Sequence, residues 1–209
     1  MLRAARGAYP GLRILRQDPH ETLIGFLCSS NKRILQIRVM VAALAAKLGE
    51  PLGGGFHALP SWQAIASADD AVLRACSLGY RAAYLRGTAK KLLARPRWAE
   101  EFAALTTADL LDELQSLPGV GPKVAACVAL FGFGRLESFP VDTWVVQALA
   151  DAYSLQGWKP AQLEQFGKAH FGEAAGLAQQ YLFSAIRNGL LTRVEISVPL
   201  KPTRPRPRK

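Results

Sequence analysis

The feature that most limits how this chain can fold is the run Leu117-Pro118-Gly119-Val120-Gly121-Pro122-Lys123. Proline suits the first position of a helix, because its φ is preset and it has no amide proton to leave unpaired, so Pro122 opens a helix. The glycines before it permit positive φ, and residues 117–121 therefore read as a tight turn after the end of another helix. Two helices joined this closely form a hairpin. Free amides at the second helix start, around Gly119, Val120 and Gly121, can bind a phosphate with help from the helix dipole. The backbone carbonyls on the opposite side, of Gln115, Leu117 and Val120, can hold a monovalent cation.

Helical periodicity recurs along the rest of the chain, and strand alternation is confined to residues 194–198, so the expected fold class is all-α. Pro19-His20-Glu21 opens a helix running toward Cys28. Residues 33–48 place Ile34, Ile37, Val41, Leu44 and Leu48 at three- and four-residue steps before Gly49. Residues 53–55 are a glycine loop, Ser61 and Ser67 are N-cap candidates for short helices, and residues 81–93 form another helix. Further helices start at Thr107, Pro122, Val141, Pro160 and Ala174. No internal repeat is present.

The 209 residues are 50% hydrophobic, enough to bury a core, and carry a net charge of +10. That charge is concentrated at the ends. Arg3, Arg6, Arg13 and Arg16 precede the first acid, and Lys201, Arg204, Arg206, Arg208 and Lys209 follow the last, which leaves a nearly neutral interior. A polyanionic partner fits this distribution, as does a simple contribution to solubility. Between residues 71 and 99 there is no acid, while Arg74, Arg81, Arg86, Lys90, Lys91, Arg95 and Arg97 all occur; they face either phosphate or solvent. The composition divides the chain into a basic N-terminal segment (1–16), a helical core (17–198) and a basic, proline-rich tail (199–209) expected to be disordered.

No apolar run is long enough for a membrane span. Cys28, Cys76 and Cys127 are odd in number and far apart, which argues against a disulfide framework, a structural zinc site or an iron-sulfur cluster, and for reduced thiols inside a cell. The compartment expected is the bacterial cytoplasm or nucleoid, or the nucleus or a mitochondrion in a eukaryote. The arginine-rich start shares the acid-poor character of transit peptides without their serines.

Two residues give the hairpin a chemistry. Lys123 lies in the first turn of the second helix, four residues from Cys127 and so on the same face. Asp142 follows nineteen residues later, in Phe139-Pro140-Val141-Asp142-Thr143. Each also has a plainer role, Lys123 as a phosphate contact and Asp142 as the N-cap of a helix over residues 143–150.

The combination of Leu-Pro-Gly-Val-Gly-Pro-Lys-Val-Ala (117–125) with Pro-Val-Asp (140–142) resembles the helix-hairpin-helix DNA glycosylases of base-excision repair, and most closely their 8-oxoguanine glycosylase/lyase branch. The segments Ile14-Leu15-Arg16-Gln17-Asp18-Pro19, Phe26-Leu27-Cys28-Ser29-Ser30-Asn31, residues 57–65, Leu78-Gly79-Tyr80-Arg81 and Leu182-Phe183-Ser184-Ala185 resemble that branch in the same order, from about residue 12 to about residue 190. The resemblance implies a two-lobed helical bundle with the hairpin at a cleft near residues 114–145, acting as a monomer on double-stranded DNA that contains a damaged base. It implies that Phe183 and Cys127 sandwich the extruded base and that Gln179 reads its pairing edge. Asn31 and Tyr80 would fill the gap, and Arg81 would read the opposite cytosine.

The implied chemistry suits the residue types. Breaking an N-glycosidic bond generates an oxocarbenium-like sugar, which calls for a nucleophile, Lys123, and a stabilising carboxylate, Asp142. Cys127 is a neighbour able to exchange a proton with Lys123. The imine formed on the opened sugar permits β-elimination, so no cofactor is required. Three departures concern substrate choice: the branch's β-rich N-terminal domain is missing, its second cytosine-reading arginine falls on Gln36, and a histidine two residues after the aspartate falls on Trp144. Three activities stay open at this level: an oxidised-purine glycosylase and abasic-site lyase, a related enzyme for another lesion or for abasic sites alone, and a non-catalytic DNA-binding module.

Overall fold

The computed structural model describes residues 1–190. The expected strand at 194–198 and the basic tail lie outside the described residues. Twelve α-helices account for most of the rest: α1 (Leu2–Ala8), α2 (Pro19–Ser29), α3 (Ile34–Leu48), α4 (Trp62–Ser67), α5 (Asp70–Ala75), α6 (Arg81–Leu93), α7 (Trp98–Ala103), α8 (Thr107–Gln115), α9 (Pro122–Phe131), α10 (Thr143–Tyr153), α11 (Pro160–Phe171) and α12 (Ala175–Arg187). Among the described residues the only sheet is a two-stranded antiparallel hairpin, β1 (Pro51–Gly53) with β2 (Phe56–His57), which closes on the expected glycine loop.

Local signals set most helix boundaries. Asp18 caps α2 by accepting from the Glu21 amide at 3.0 Å, Ser61 caps α4 through the Ala64 amide at 3.2 Å, and Thr106 caps α8 through the Asp109 amide at 3.2 Å. Three expectations are corrected. Ser67 is the last residue of α4, where its hydroxyl donates to the Gln63 carbonyl at 2.8 Å; Asp69 takes the N-cap position of α5. The helix expected from Val141 begins at Thr143 and runs to Tyr153 rather than Ala150. Residues Gly172–Ala174 form a 3₁₀ turn, and α12 starts one residue later. Helix α3 ends at Gly49 as expected, with Leu44 buried and Ile37, Val41 and Leu48 packed against the core, while its start is open, Ile34 being 48% exposed.

The helices gather around two separate apolar clusters, as the two-lobed reading expected. One unites α2 to α9 through Leu23, Leu44, Leu85, Phe102, Leu114 and Val128, among others. The other joins α1 to α10, α11 and α12 through Ala5, Phe139, Leu149, Leu163 and Leu182. The basic N-terminal segment thus supplies a helix to the second lobe, where the Tyr9 hydroxyl donates to the Ser184 carbonyl at 3.2 Å. Cys127, on α9, is 4% exposed and belongs to neither cluster. Helix α9, which carries Cys127, packs on α2 and α8.

Candidate active site at the hairpin

The turn between α8 and α9 is held from one side by α6. Gly119 has φ +81°, a conformation glycine adopts without strain. The Thr88 hydroxyl donates to the Pro118 carbonyl at 3.0 Å, and the Lys91 ammonium donates to the Ser116 carbonyl at 2.7 Å. Tyr84 lies against Gly119 and Gly87 against Pro118. Positions 84, 87, 88 and 91 follow helical spacing, so one stripe of α6 holds the turn.

Gly121 is the N-cap of α9, and open space lies where a β-carbon on it would stand. The amides of the first helical turn have no acceptor within the helix, so they point an unsatisfied donor set outward at this end. The side chain of Val120, by contrast, is buried in the first lobe, so only its backbone is available to a ligand.

Lys123 stands in that first turn, its Nζ 5.2 Å from the centroid of the Phe26 ring. One turn on, burial pushes the Cys127 thiol up to about 11, with Lys123 pulling it down and Asp142 pushing it up. The thiol therefore feels the charges of both residues. Asp142 caps α10, its Oδ1 accepting from the Val145 amide at 2.8 Å. Its plainer role is real, and its second carboxylate oxygen is not used by that bond.

The other expected residues fall on either side. Asn31 is exposed with φ +50° after α2, and Tyr80 is 53% exposed at the start of α6. Arg81 links them by donating to the Ser30 carbonyl and, at 3.1 Å, to the Tyr80 hydroxyl. Its guanidinium also donates to the Leu78 carbonyl at 3.2 Å and lies 4.4 Å from the Tyr80 ring centroid. Only 3% of Arg81 is exposed, and its Nε is buried without a partner, so this side chain is turned inward. Gln179 and Phe183 lie four residues apart on α12; Gln179 is 3% exposed and Phe183 half-buried under the Arg187 guanidinium.

The basic stretch between residues 71 and 99 divides by role. Arg86 pairs with Asp70, Arg95 bridges Glu101 and Glu113 at 3.0 and 2.8 Å, and Lys91 holds the turn, so these three are structural. Gln36 stands on the exposed part of α3, where its Oε1 accepts from the Arg33 amide at 3.2 Å and caps the helix. Sequence reasoning missed Tyr84, Thr88 and Lys91 as supports of the hairpin; their four- and three-residue spacing on α6 was the available signal. A cavity of about 530 Å³ lies at the far end of α9, between Gln17, Ala99, Phe131 and Leu136, and includes none of the candidate residues.

The model of the HhH-GPD superfamily of base excision DNA repair proteins matches residues 24–170, which include the hairpin, Lys123 and Asp142. The chain belongs to that superfamily. Among individual HhH-GPD relatives, the N-glycosylase/DNA lyase OGG1 of Arabidopsis thaliana is 40% identical over 192 residues, covering 84% of this chain and 52% of that one. A probable N-glycosylase/DNA lyase of Methanothermobacter thermautotrophicus is 31% identical over 208 residues, covering 88% and 66%. The 8-oxoguanine glycosylase/lyase of Clostridium acetobutylicum, solved with double-stranded DNA containing cytosine opposite 8-oxoguanine, superposes with a TM-score of 0.84 at 34% identity over 90% of this chain and 66% of that one. The chain spans between half and two thirds of the length of these relatives. A 3-methyladenine glycosylase of Archaeoglobus fulgidus, 20% identical with a TM-score of 0.73, shares the fold.

Proposed function

We propose that this protein is a bifunctional DNA glycosylase and abasic-site lyase that removes an oxidised purine, 8-oxoguanine, from double-stranded DNA. The observation that carries the proposal is the placement of Lys123 in the first turn of α9, at a helix start with open space before it and one turn from Cys127, whose thiol feels the charges of both Lys123 and Asp142. The N-glycosylase/DNA lyases and the 8-oxoguanine glycosylase/lyase among its relatives support the same reading.

In this reading the residues divide the work. The amides of α9 hold a backbone phosphate, and Asn31 and Tyr80 fill the space left when the damaged nucleotide leaves the stack, with Arg81 bonded to the Tyr80 hydroxyl and to the Ser30 carbonyl next to Asn31. The base enters between Cys127 and Phe183, with Gln179 at its pairing edge. As the bond from C1′ to the base breaks, the departing base takes the electron pair and a proton, Asp142 stabilises positive charge on the sugar, and the Lys123 amine bonds to C1′ and gives up a proton. The sugar ring opens to an imine, loss of a C2′ proton follows, and the C3′–O bond breaks with cleavage of the strand. Arg81 must turn outward to reach the opposite base, exchanging its backbone acceptors for base contacts. The carbonyls of Gln115, Leu117 and Val120 would hold a monovalent cation. Leu117 already accepts from the Val120 amide at 3.1 Å, but a carbonyl has a second lone pair, so the set fits. The enzyme acts as a monomer inside the cell.

Mixing the protein with an 8-oxoguanine duplex and borohydride tests the reading, since reduction of the imine leaves a covalent protein–DNA adduct. Adduct formation with 8-oxoguanine but not with an undamaged duplex is the expected result. An adduct with abasic DNA alone would reduce the activity to that of a lyase.

A further inference from the structure

The amine of Lys123 ends a flexible four-carbon chain, and among the described residues no ion pair holds it. Its Nζ lies over the Phe26 ring, 5.2 Å from the centroid. That ring is well seated. Phe26 stands on α2 between Leu23 and Leu27, both buried in the first lobe, and its half-buried side chain packs against the same cluster. Phe131, the last residue of α9, stacks on it with the centroids 5.7 Å apart and the planes 16° from parallel. One helix thus carries the lysine in its first turn and, about two turns later, the ring that backs Phe26.

A ring face suits a nucleophilic amine better than a carboxylate would. An opposite charge beside a lysine favours the protonated form, which has no electron pair to give. An aromatic face attracts the N–H groups of ammonium and amine alike, more weakly than an ion pair, and accepts no proton. It can therefore fix the chain and leave the amine free to react. Lysine loses more freedom on being fixed than most side chains, whereas phenylalanine has only two χ angles and shows an identical face when its ring flips. The ring supplies the order that the lysine lacks.

We infer that Phe26 is a positioning residue for the nucleophile: its ring, backed by Phe131, holds the Lys123 chain so that Nζ stands where C1′ of the extruded nucleotide arrives. The inference rests on the proposed function and on Lys123 as the nucleophile, and it goes beyond both by naming what orders the amine. Phe26 itself exchanges no proton and forms no bond in the reaction.

The test measures the rate of borohydride trapping on a duplex with a preformed abasic site, where imine formation is read with no base to recognise, beside the affinity for the same duplex. Phe26→Leu stays apolar but loses the ring face, and Phe26→Tyr keeps it. Trapping should slow about tenfold or more in Phe26→Leu, since a misplacement of about 1 Å at a reacting group costs on the order of 10²-fold. Affinity should stay within about twofold of the wild type, and Phe26→Tyr should recover most of the rate. Phe131→Leu leaves Phe26 without its backing; it should slow trapping less, and should add nothing to Phe26→Leu in the double variant. Wild-type trapping by Phe26→Leu, or by Phe131→Leu should the first variant fail to fold, overturns the inference alone. Equal losses in the leucine and tyrosine variants, or additive losses in the double variant, overturn it as well. A wild-type protein that forms no adduct overturns the functional reading, and the inference with it.

Discussion

Tyr84 occupies the space that a side chain on Gly119 would need: a β-carbon there would lie 2.6 Å from Tyr84 Cγ. The contact joins the hairpin turn to the helix whose first residues are Tyr80 and Arg81, and the Tyr80 and Tyr84 rings meet edge to face at 5.7 Å. In the proposed function, gripping a phosphate and filling the helix gap therefore fall to elements packed against each other. Gly119→Ala should destabilise the fold by about 1–3 kcal/mol, through the positive φ and the overlap with the ring, and should weaken DNA binding. Adding Tyr84→Ala should remove the overlap and leave the backbone strain. Thermal denaturation of the two single variants and the double variant measures the coupling, and strictly additive losses would show that ring and turn are independent.

Asp142 caps α10 and, in the proposed reaction, stabilises the sugar cation, and substitution can separate the two. Asparagine caps helices as well as aspartate, so Asp142→Asn should lose little stability, whereas Asp142→Ala should lose about 1 kcal/mol. Both variants remove the negative charge and should slow base excision by roughly 10²-fold or more. An excision rate for Asp142→Asn close to wild type would leave the residue as a cap alone.

The buried thiols set a pH window. Burial raises Cys28 from 9.0 to about 12 and Cys127 from 9.0 to about 11. Each group binds its proton more tightly folded than unfolded, so its contribution is complete below pH 9.0 and is lost as the pH rises through the folded values. Urea denaturation between pH 8 and 11 should show stability falling, with a shallower decline in Cys28→Ala and Cys127→Ala. A slope unaltered by either substitution would assign the decline to other groups.

The features legible in the sequence are those set by local chemistry. Pro122 at a first helical position, Asp142 at a cap and Lys123 one turn from Cys127 need only neighbouring residues to specify them, and the structure keeps all three arrangements. The exchange of Ser67 for Asp69 as a capping position came from two capping residue types two positions apart, between which local chemistry does not choose. What escaped depends on tertiary packing. The inward turn of Arg81 depends on carbonyls at Ser30 and Leu78, and the grip of Thr88 and Lys91 on the turn depends on α6 crossing a segment about 30 residues away. The exposed start of α3 has the same apolar spacing as its buried end, so periodicity alone could not distinguish them.

The basic end of the chain offers a prediction independent of the fold. Lys201, Arg204, Arg206, Arg208 and Lys209 carry positive charge without an intervening acid. Deleting residues 201–209 should weaken binding at low salt and flatten its salt dependence, by about 0.9 in logarithmic slope for each phosphate that is no longer neutralised. The ranking of lesions should stay the same, and a changed ranking would give the tail a role in recognition.

The central claim is that Lys123 is the nucleophile, and borohydride trapping of Lys123→Gln against the wild type on the same 8-oxoguanine duplex tests it most directly. The wild type should yield the covalent adduct and cut the strand. Lys123→Gln should give neither while still binding the duplex, because it loses the amine but only one of 26 basic residues. An adduct formed by Lys123→Gln at the wild-type rate would place the nucleophile elsewhere and contradict the account.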